Sequence, residues 1–307
     1  MMASKSTIYF NSVCTACVFV CLFSISIHAQ VPTGNQLPEV LKDIKAAAGT
    51  CKRDDIVLNA TSIPTKTEVQ PDFECAKSPI EALALSKQAD TLLVDLRLSE
   101  PYQAFHIENA LNLNVTDLLN KRYWYSKTVV LIGDGKAERE MYRTCAHLKQ
   151  SGYKQVYVLR GGMPLWLTHN LAVSGRPSPV LQLSSLSAAE FWLESQRVEN
   201  LVLLDKKRDS MQRDLSLSVV LTNITGEDIK LAIASRRKES KHLPTAVVLV
   251  TDSSITEAQL QQFQQTILPT PLLVYSDTHD KYLNHVTVQK AIWAAQARGP
   301  KLPGCGL

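Results

Sequence analysis

Short apolar segments alternate with amphipathic segments between residues 78 and 174. The apolar segments are nearly continuous, which is typical of strands buried on both faces of a parallel sheet. The amphipathic segments have helical spacing, and the longest of them stops at Gly152. We therefore predict alternating strands and helices around one parallel sheet. The predicted strands cover 91–96, 110–115, 128–132 and 155–159, and the predicted helices cover 79–88 and 138–151.

The second half of the chain repeats this order of segments. Apolar runs at 201–205 (LVLLD), 218–223 (SVVLTN), 247–252 (VVLVTD) and 271–275 (PLLVY) are separated by polar stretches, and a helix is predicted at 257–265. Two of these runs, LVLLD and VVLVTD, end in aspartate, as LLVD at 92–95 and VVLIGD at 129–134 do. We interpret this as an internal duplication. Two unrelated α/β domains would be the alternative, with the linker GRPSP at 175–179 in either case.

The first residues differ from the rest of the chain. Lys5 is the only charged residue among the first thirty, and an apolar run extends from position 13 to position 27. The run is shorter than the roughly 20 residues of a membrane-spanning helix. We predict a secretory signal peptide over 1–30, with export to a bacterial periplasm and no membrane attachment after cleavage. An uncleaved anchor is the alternative.

Export changes the interpretation of the cysteines, because four would remain after cleavage. An even number in an exported protein indicates disulfides, for which three pairings exist. We favour a bridge between Cys51 and Cys75, which are close in sequence. Cys145 falls within a predicted helix and is expected to be a buried thiol. Cys305 lies in a Pro-Gly-Cys-Gly-Leu tail, residues 298–307, where it would be exposed.

Composition excludes several classes of function. The chain has 307 residues, 45% of them apolar, and a formal net charge of +4. No basic cluster interleaved with aromatic residues is present, so nucleic acid is a poor candidate partner. No group of histidine, cysteine and acidic residues has the spacing of metal ligands, and no cofactor motif is found. We expect neither a metal nor a cofactor.

One loop has the form of a binding site. The apolar run 128–132 leads into Gly133, Asp134, Gly135, Lys136 and Ala137, and a helix is predicted from Glu138. Backbone N–H groups at the start of a helix favour an anion or a thiolate. This strand, glycine loop and helix therefore predict a site for a negatively charged group.

Several ordered motifs in residues 78–174 resemble the rhodanese-like family. They are Asp95-Leu-Arg97 after a strand, His106-Ile before the next strand, and Gly161-Gly162 followed by Trp166. The resemblance implies two three-layer α/β domains, each a parallel five-stranded sheet flanked by helices. The first would cover 76–176, after an N-terminal extension over 31–75. The second, over 180–297, would be degenerate, because it lacks the His-Ile and Gly-Gly motifs.

The resemblance also defines what the loop lacks. Active members of the family have a cysteine at the end of the strand before the loop, and its thiolate carries a persulfide. Gly133 occupies that place here, and Thr251 occupies it in the second repeat. Asp95, Arg97 and His106 would then support the loop rather than catalyse.

We therefore expect no catalytic residue and no enzyme activity. The expected function is a binding or accessory module in sulfur or redox metabolism, with a protein partner or a small sulfur anion as ligand. One alternative is a persulfide or redox carrier that uses Cys305, because a cysteine between glycines could reach a partner's active site. A thiosulfate-type sulfurtransferase is a further alternative.

Overall fold

The first half of the chain forms a five-stranded parallel sheet, as predicted, with its strands in the order 76–77, 155–159, 128–132, 91–95 and 111–112. The computed structural model describes residues 69–252 and 254–297. The helices of this half are α1 (Pro79–Ser86), α2 (Ser99–Ala104), α3 (Val115–Asn120), α4 (Glu138–Gln150) and α5 (Gly162–Thr168). The strands are β1 (Ala76–Lys77), β2 (Thr91–Asp95), β3 (Phe105–His106), β4 (Leu111–Asn112), β5 (Thr128–Ile132), β6 (Gln155–Leu159) and β7 (Ser174–Gly175).

The second half contains a parallel sheet with its strands in the order 272–275, 247–250, 201–205 and 218–221. Its helices are α6 (Val180–Ser184), α7 (Ala188–Ser195), α8 (Gly226–Ser240), α9 (Glu257–Thr266) and α10 (His279–Ala297). Its strands are β8 (Leu201–Asp205), β9 (Ser218–Leu221), β10 (Val247–Val250) and β11 (Leu272–Tyr275). Short 3₁₀ helices occur at Phe73–Cys75, Arg122–Trp124 and Lys206–Arg213.

We call residues 69–176 the first lobe and residues 180–297 the second lobe. All of these described residues belong to one compact unit. In each lobe, alternate strand residues face opposite sides of the sheet, and helices cover both sides. In the first lobe, Val129 and Leu131 pack with α4, whereas Val130 and Ile132 pack with α1 and α5. The second lobe has the same arrangement, with α7 and α10 on one face and α8 and α9 on the other. The predicted three-layer α/β class is confirmed.

The second sheet has four strands, so the prediction of five strands in each domain was wrong for this lobe. A fifth position exists only as an isolated parallel bridge between Ser185 and Val274. α6 ends at Ser184, and Ser187 caps α7 by accepting a hydrogen bond from the N–H of Glu190. Three residues, 185–187, lie between the two helices; Ser185 forms the bridge and Ser187 is the cap of α7, so no fifth strand forms at this edge.

Predicted strands 128–132, 155–159 and 201–205 have the observed boundaries. The predicted strand 110–115 is shorter in the structure, because Asn114 caps α3 by accepting a hydrogen bond from the N–H of Asp117. No helix among residues 69–252 and 254–297 combines the length and apolarity of a membrane span. The predicted signal peptide, Cys51, Cys305 and the tail 298–307 lie outside the described residues.

Candidate functional site

The β5–α4 loop, Gly133–Ala137, follows the buried strand β5 at the carboxyl edge of the first sheet. Asp134 Oδ1 accepts a hydrogen bond from the backbone N–H of Lys136 at 2.9 Å, which shapes the turn. Ala137 has a left-handed backbone with φ 48°, and no side chain of its own caps α4. The loop therefore places backbone N–H groups at the start of α4 without a local side-chain cap.

The β6–α5 turn packs directly against this loop. The N–H of Met163 donates to the carbonyl of Gly133 at 3.0 Å. Gly162 has φ 50°, and a Cβ atom there would overlap the carbonyl oxygen of Gly133 and the nitrogen of Gly135. Glycine is therefore required at position 162 by close backbone contact between the two turns.

A carboxylate from the second lobe occupies the start of α4. Glu194, on α7, accepts a hydrogen bond from the backbone N–H of Ala137. Its other oxygen accepts from Asn200 Nδ2 at 2.6 Å. Burial raises the pKa of Glu194, and the hydrogen bonds from Ala137 and Asn200 oppose that rise. The loop thus binds an internal carboxylate that lies more than fifty residues away in the sequence.

A second buried carboxyl group lies on the other side of the loop. Glu138 is 4% exposed; one oxygen accepts from the N–H of Gly161, and the other accepts from the Tyr142 hydroxyl at 2.9 Å. Burial raises the pKa of Glu138 to about 7, although these two hydrogen bonds act to lower it. Glu138 therefore connects α4 to the β6–α5 turn.

Three ion pairs between the lobes surround the loop. Lys136 pairs with Glu190 at 2.9 Å, Arg139 pairs with Glu199, and Arg197 pairs with Glu140 at 3.0 Å. The side chains in these pairs are between 16% and 41% exposed. Lys136 of the loop and Arg139 and Glu140 of early α4 therefore join the two lobes.

Asp95, Arg97 and His106 form the support of a neighbouring loop. Arg97 and Asp95 make a buried ion pair at 2.7 Å, and Arg97 also donates to the carbonyl of Phe105 at 2.7 Å. His106 Nδ1 lies 2.9 Å from the carbonyl oxygen of Tyr102, and its ring stacks on the Tyr102 ring. Asp95, Arg97 and the Nδ1 atom of His106 thus each have a polar partner within the fold.

The predicted Cys51–Cys75 bridge is wrong, because Cys75 is bonded to Cys145. Cys145 is fully buried, as expected, but it is a disulfide partner and not a free thiol. Tertiary folding brings α4 against the 3₁₀ helix at Phe73–Cys75. The prediction was based on closeness in sequence, and this contact joins segments that are far apart in sequence. Asp72 lies near both sulfur atoms, but disulfide sulfurs offer no thiolate to a metal ion.

The corresponding position of the second lobe also lacks a thiol. Thr251 follows β10 and is 1% exposed, and its N–H donates to the carbonyl of Tyr275 at 3.0 Å. Its hydroxyl has no hydrogen-bond partner. Within residues 69–252 and 254–297, the two cysteines are both in the disulfide, so neither lobe presents a free thiol there.

Sequence reasoning missed Glu194 and Asn200, which complete the site from the second lobe. Glu194 follows the capping pair Ser187 and Glu190 on an ordinary amphipathic helix. Its one distinguishing feature in the sequence is its place on a face with Phe191 and Ser195, which are buried. An acidic residue on a buried helix face is a signal of a polar partner, but it does not identify that partner.

Comparisons with known proteins agree on the first lobe. A family model described as a rhodanese-like domain matches residues 78–169. The thiosulfate sulfurtransferase GlpE of Coxiella burnetii is 31% identical over 96 residues, which are 30% of this chain and 87% of that protein. GlpE of Pseudomonas putida is 31% identical over 91 residues, covering 29% of this chain and 80% of the relative.

Solved structures with detectable similarity include sulfurtransferases. A thiosulfate sulfurtransferase from Pseudomonas aeruginosa is 16% identical, with a TM-score of 0.29, and the match covers 69% of this chain and 42% of that one. The 3-mercaptopyruvate sulfotransferase SseA from Escherichia coli is 12% identical, with a TM-score of 0.28, and the match covers 66% of this chain and 98% of that one.

Proposed function

Because the chain belongs to the rhodanese-like family, we propose that it is a non-catalytic member of that family, which acts as a binding or accessory module in sulfur or redox metabolism. Its ligand would be a protein partner or a small sulfur anion. The N-terminal pattern over 1–30 supports export to the periplasm as part of this proposal.

The observation that carries the proposal is the contact between Glu194 and the β5–α4 loop. In active relatives the loop N–H groups would stabilise a cysteine thiolate. Here the strand is followed by Gly133, which has no nucleophile, and the N–H of Ala137 donates to the Glu194 carboxylate. An anionic sulfur species at the loop would meet this carboxylate, which disfavours a further negative charge there.

The tandem arrangement is part of the proposal. Strands β6, β5, β2 and β4 have the same order in the first sheet as β11, β10, β8 and β9 in the second. Ser78 follows β1 and caps α1. Ser187 follows the bridge at Ser185, at the equivalent edge of the second sheet, and caps α7. These correspondences support a duplication, in which the second copy supplies the carboxylate that fills the loop of the first.

The test is mass spectrometry of the purified full chain after incubation with thiosulfate, with and without a reductant. We expect no cysteine to gain a sulfur atom that the reductant removes, and no transfer of sulfur from thiosulfate to cyanide. A removable sulfur adduct on any cysteine, together with transfer activity, would contradict the proposal and favour a thiosulfate-type sulfurtransferase.

The variant Cys305→Ser separates the carrier alternative from the main proposal. Cys305 lies between two glycines, a sequence that permits close approach to a partner's active site. If an adduct forms on Cys305 and transfer is lost in Cys305→Ser without a change in thermal stability, the protein is a carrier. If the wild type and the variant are equally inactive, the non-catalytic proposal stands.

A further inference from the structure

A cleft of about 840 Å³ opens where the two lobes meet, on the side of α4 that faces the end of α8. The first lobe contributes residues 71–74 and 76–77, with Tyr142 and Arg160, and the second lobe contributes residues 198–199, 236–237 and 240–245. This volume lies within the range of sites for small organic ligands, roughly 300–1,000 Å³. It is much larger than an inorganic anion requires.

Cations from both lobes line this inter-lobe cleft. Lys77 and Arg160 come from the first lobe, and Arg236, Arg237 and Lys241 come from the second. Partial negative charge at the end of α8 explains why basic residues are favourable on that helix. It does not explain the two cations that the first lobe places in the same cleft.

The cleft has five cations and three acidic residues, Asp72, Glu74 and Glu199. Two of the cations pair with carboxylates outside the cleft, Lys77 with Glu81 at 3.8 Å and Arg236 with Glu239 at 3.7 Å. Asp72 pairs with Lys149 at 2.8 Å, and Glu199 pairs with Arg139; neither of these cations lines the cleft. Arg237 and Lys241 are exposed, and neither has an ion pair among the described residues. The cleft therefore has a net positive potential, which attracts an anion.

Part of the cleft wall is apolar. Phe73 is 40% exposed and Val198 is 58% exposed, and both border the cleft. The Phe73 ring lies 5.2 Å from the ring of Tyr142, so the first lobe offers an aromatic surface beside its cations. Exposed apolar residues next to unpaired cations favour a ligand that has both an apolar body and a negative charge.

We propose that the inter-lobe cleft binds a small organic anion, a carboxylate, sulfonate or phosphate attached to an apolar or aromatic body. Arg237 and Lys241 bind the anionic group from the second lobe, with Arg160 opposite, and Phe73 packs against the apolar body. This inference goes beyond the proposed function and does not depend on whether the β5–α4 loop is catalytic.

The test is a fluorescence titration of the purified full chain with 8-anilinonaphthalene-1-sulfonate, an aromatic sulfonate. We expect saturable binding to the wild type, with affinity at least about tenfold weaker in the double variant Arg237→Glu/Lys241→Glu, because charge-assisted contacts to the sulfonate are lost. The matched control is Lys230→Glu/Lys238→Glu on the same helix, which changes the net charge equally outside the cleft. This control is expected to bind like the wild type.

Two further measurements complete the test. Phe73→Ala is expected to weaken binding severalfold, and inorganic sulfate is expected to compete only weakly, because it lacks the apolar body. Equal weakening in the two charge-reversal variants would show long-range attraction instead of a site and would overturn the inference. The absence of saturable binding, or an unchanged affinity in Phe73→Ala, would also overturn it.

Discussion

Glu138 is a carboxylic acid in a position where its charge is poorly solvated. It is the first residue of α4 and is almost fully buried between α4 and the β6–α5 turn. The N–H of Gly161 and the hydroxyl of Tyr142 both donate to it, yet burial outweighs them and raises the pKa to about 7. Its neutral form is therefore favoured by folding, in contrast to most surface glutamates.

Stability is expected to fall as pH rises, because of Glu138. Its pKa is near 4.5 when unfolded and about 7 when folded, so its favourable contribution is complete below pH 4.5 and lost as pH passes through 7. The loss amounts to roughly 3 kcal/mol. Denaturant unfolding across this range should show a smaller fall in Glu138→Gln. Some slope should remain, because burial also raises the pKa of Glu194.

The control for this prediction is Glu227→Gln, an exposed glutamate on α8. This variant should keep the pH dependence of the wild type. If Glu138→Gln and Glu227→Gln give the same slope as the wild type, Glu138 is ionised in the folded protein at acidic pH and the assignment is wrong.

At the scale of elements, α4 is held from two directions. Its start is bound to the second lobe through the β5–α4 loop, and its centre is joined to the 3₁₀ helix at Phe73–Cys75 by the Cys75–Cys145 disulfide. Lys149 near its end pairs with Asp72, beside the same 3₁₀ helix. The disulfide therefore fixes the segment that leads into β1 against the helix that follows the loop.

Removal of the disulfide is expected to destabilise the protein. The two cysteines are 70 residues apart in sequence. A disulfide that closes a loop of this length lowers the entropy of the unfolded chain and so stabilises the folded protein by about 4 kcal/mol. Urea unfolding of Cys75→Ala/Cys145→Ala should show this loss relative to the oxidised wild type. Cys305→Ser, which leaves the bridge intact, is the control. A loss below about 1 kcal/mol would show that the bridge adds little to stability.

The sequence predicted elements well where local pattern determines them. The strands 128–132 and 155–159 are continuous apolar runs with turn residues on each side, and their boundaries agree with the structure. The disulfide and the Glu194 contact could not be predicted, because both depend on segments brought together only by tertiary packing. The fifth strand of the second sheet was predicted from the family resemblance, but an isolated bridge at Ser185 takes its place.

At the scale of the whole molecule, the candidate site is also the joint between the lobes. The loop and the first turns of α4 contact the second lobe through the Glu194 carboxylate and three ion pairs. The ion pairs are partly exposed, and such pairs contribute little individually. The Glu194 side chain is buried, and its loss removes the acceptor of the Ala137 N–H and one of the two hydrogen bonds that Asn200 Nδ2 donates to Glu194.

We therefore expect Glu194 to couple the unfolding of the two lobes. The wild type should unfold in one calorimetric transition, whereas Glu194→Ala should lose roughly 2–4 kcal/mol and show two transitions. Arg197→Ala breaks a partly exposed inter-lobe pair and should cost less than about 1 kcal/mol while keeping one transition. Equal effects of the two variants would mean that the buried carboxylate has no special part in joining the lobes. A large loss confined to Glu194→Ala would show that the residue that fills the loop also holds the two lobes together.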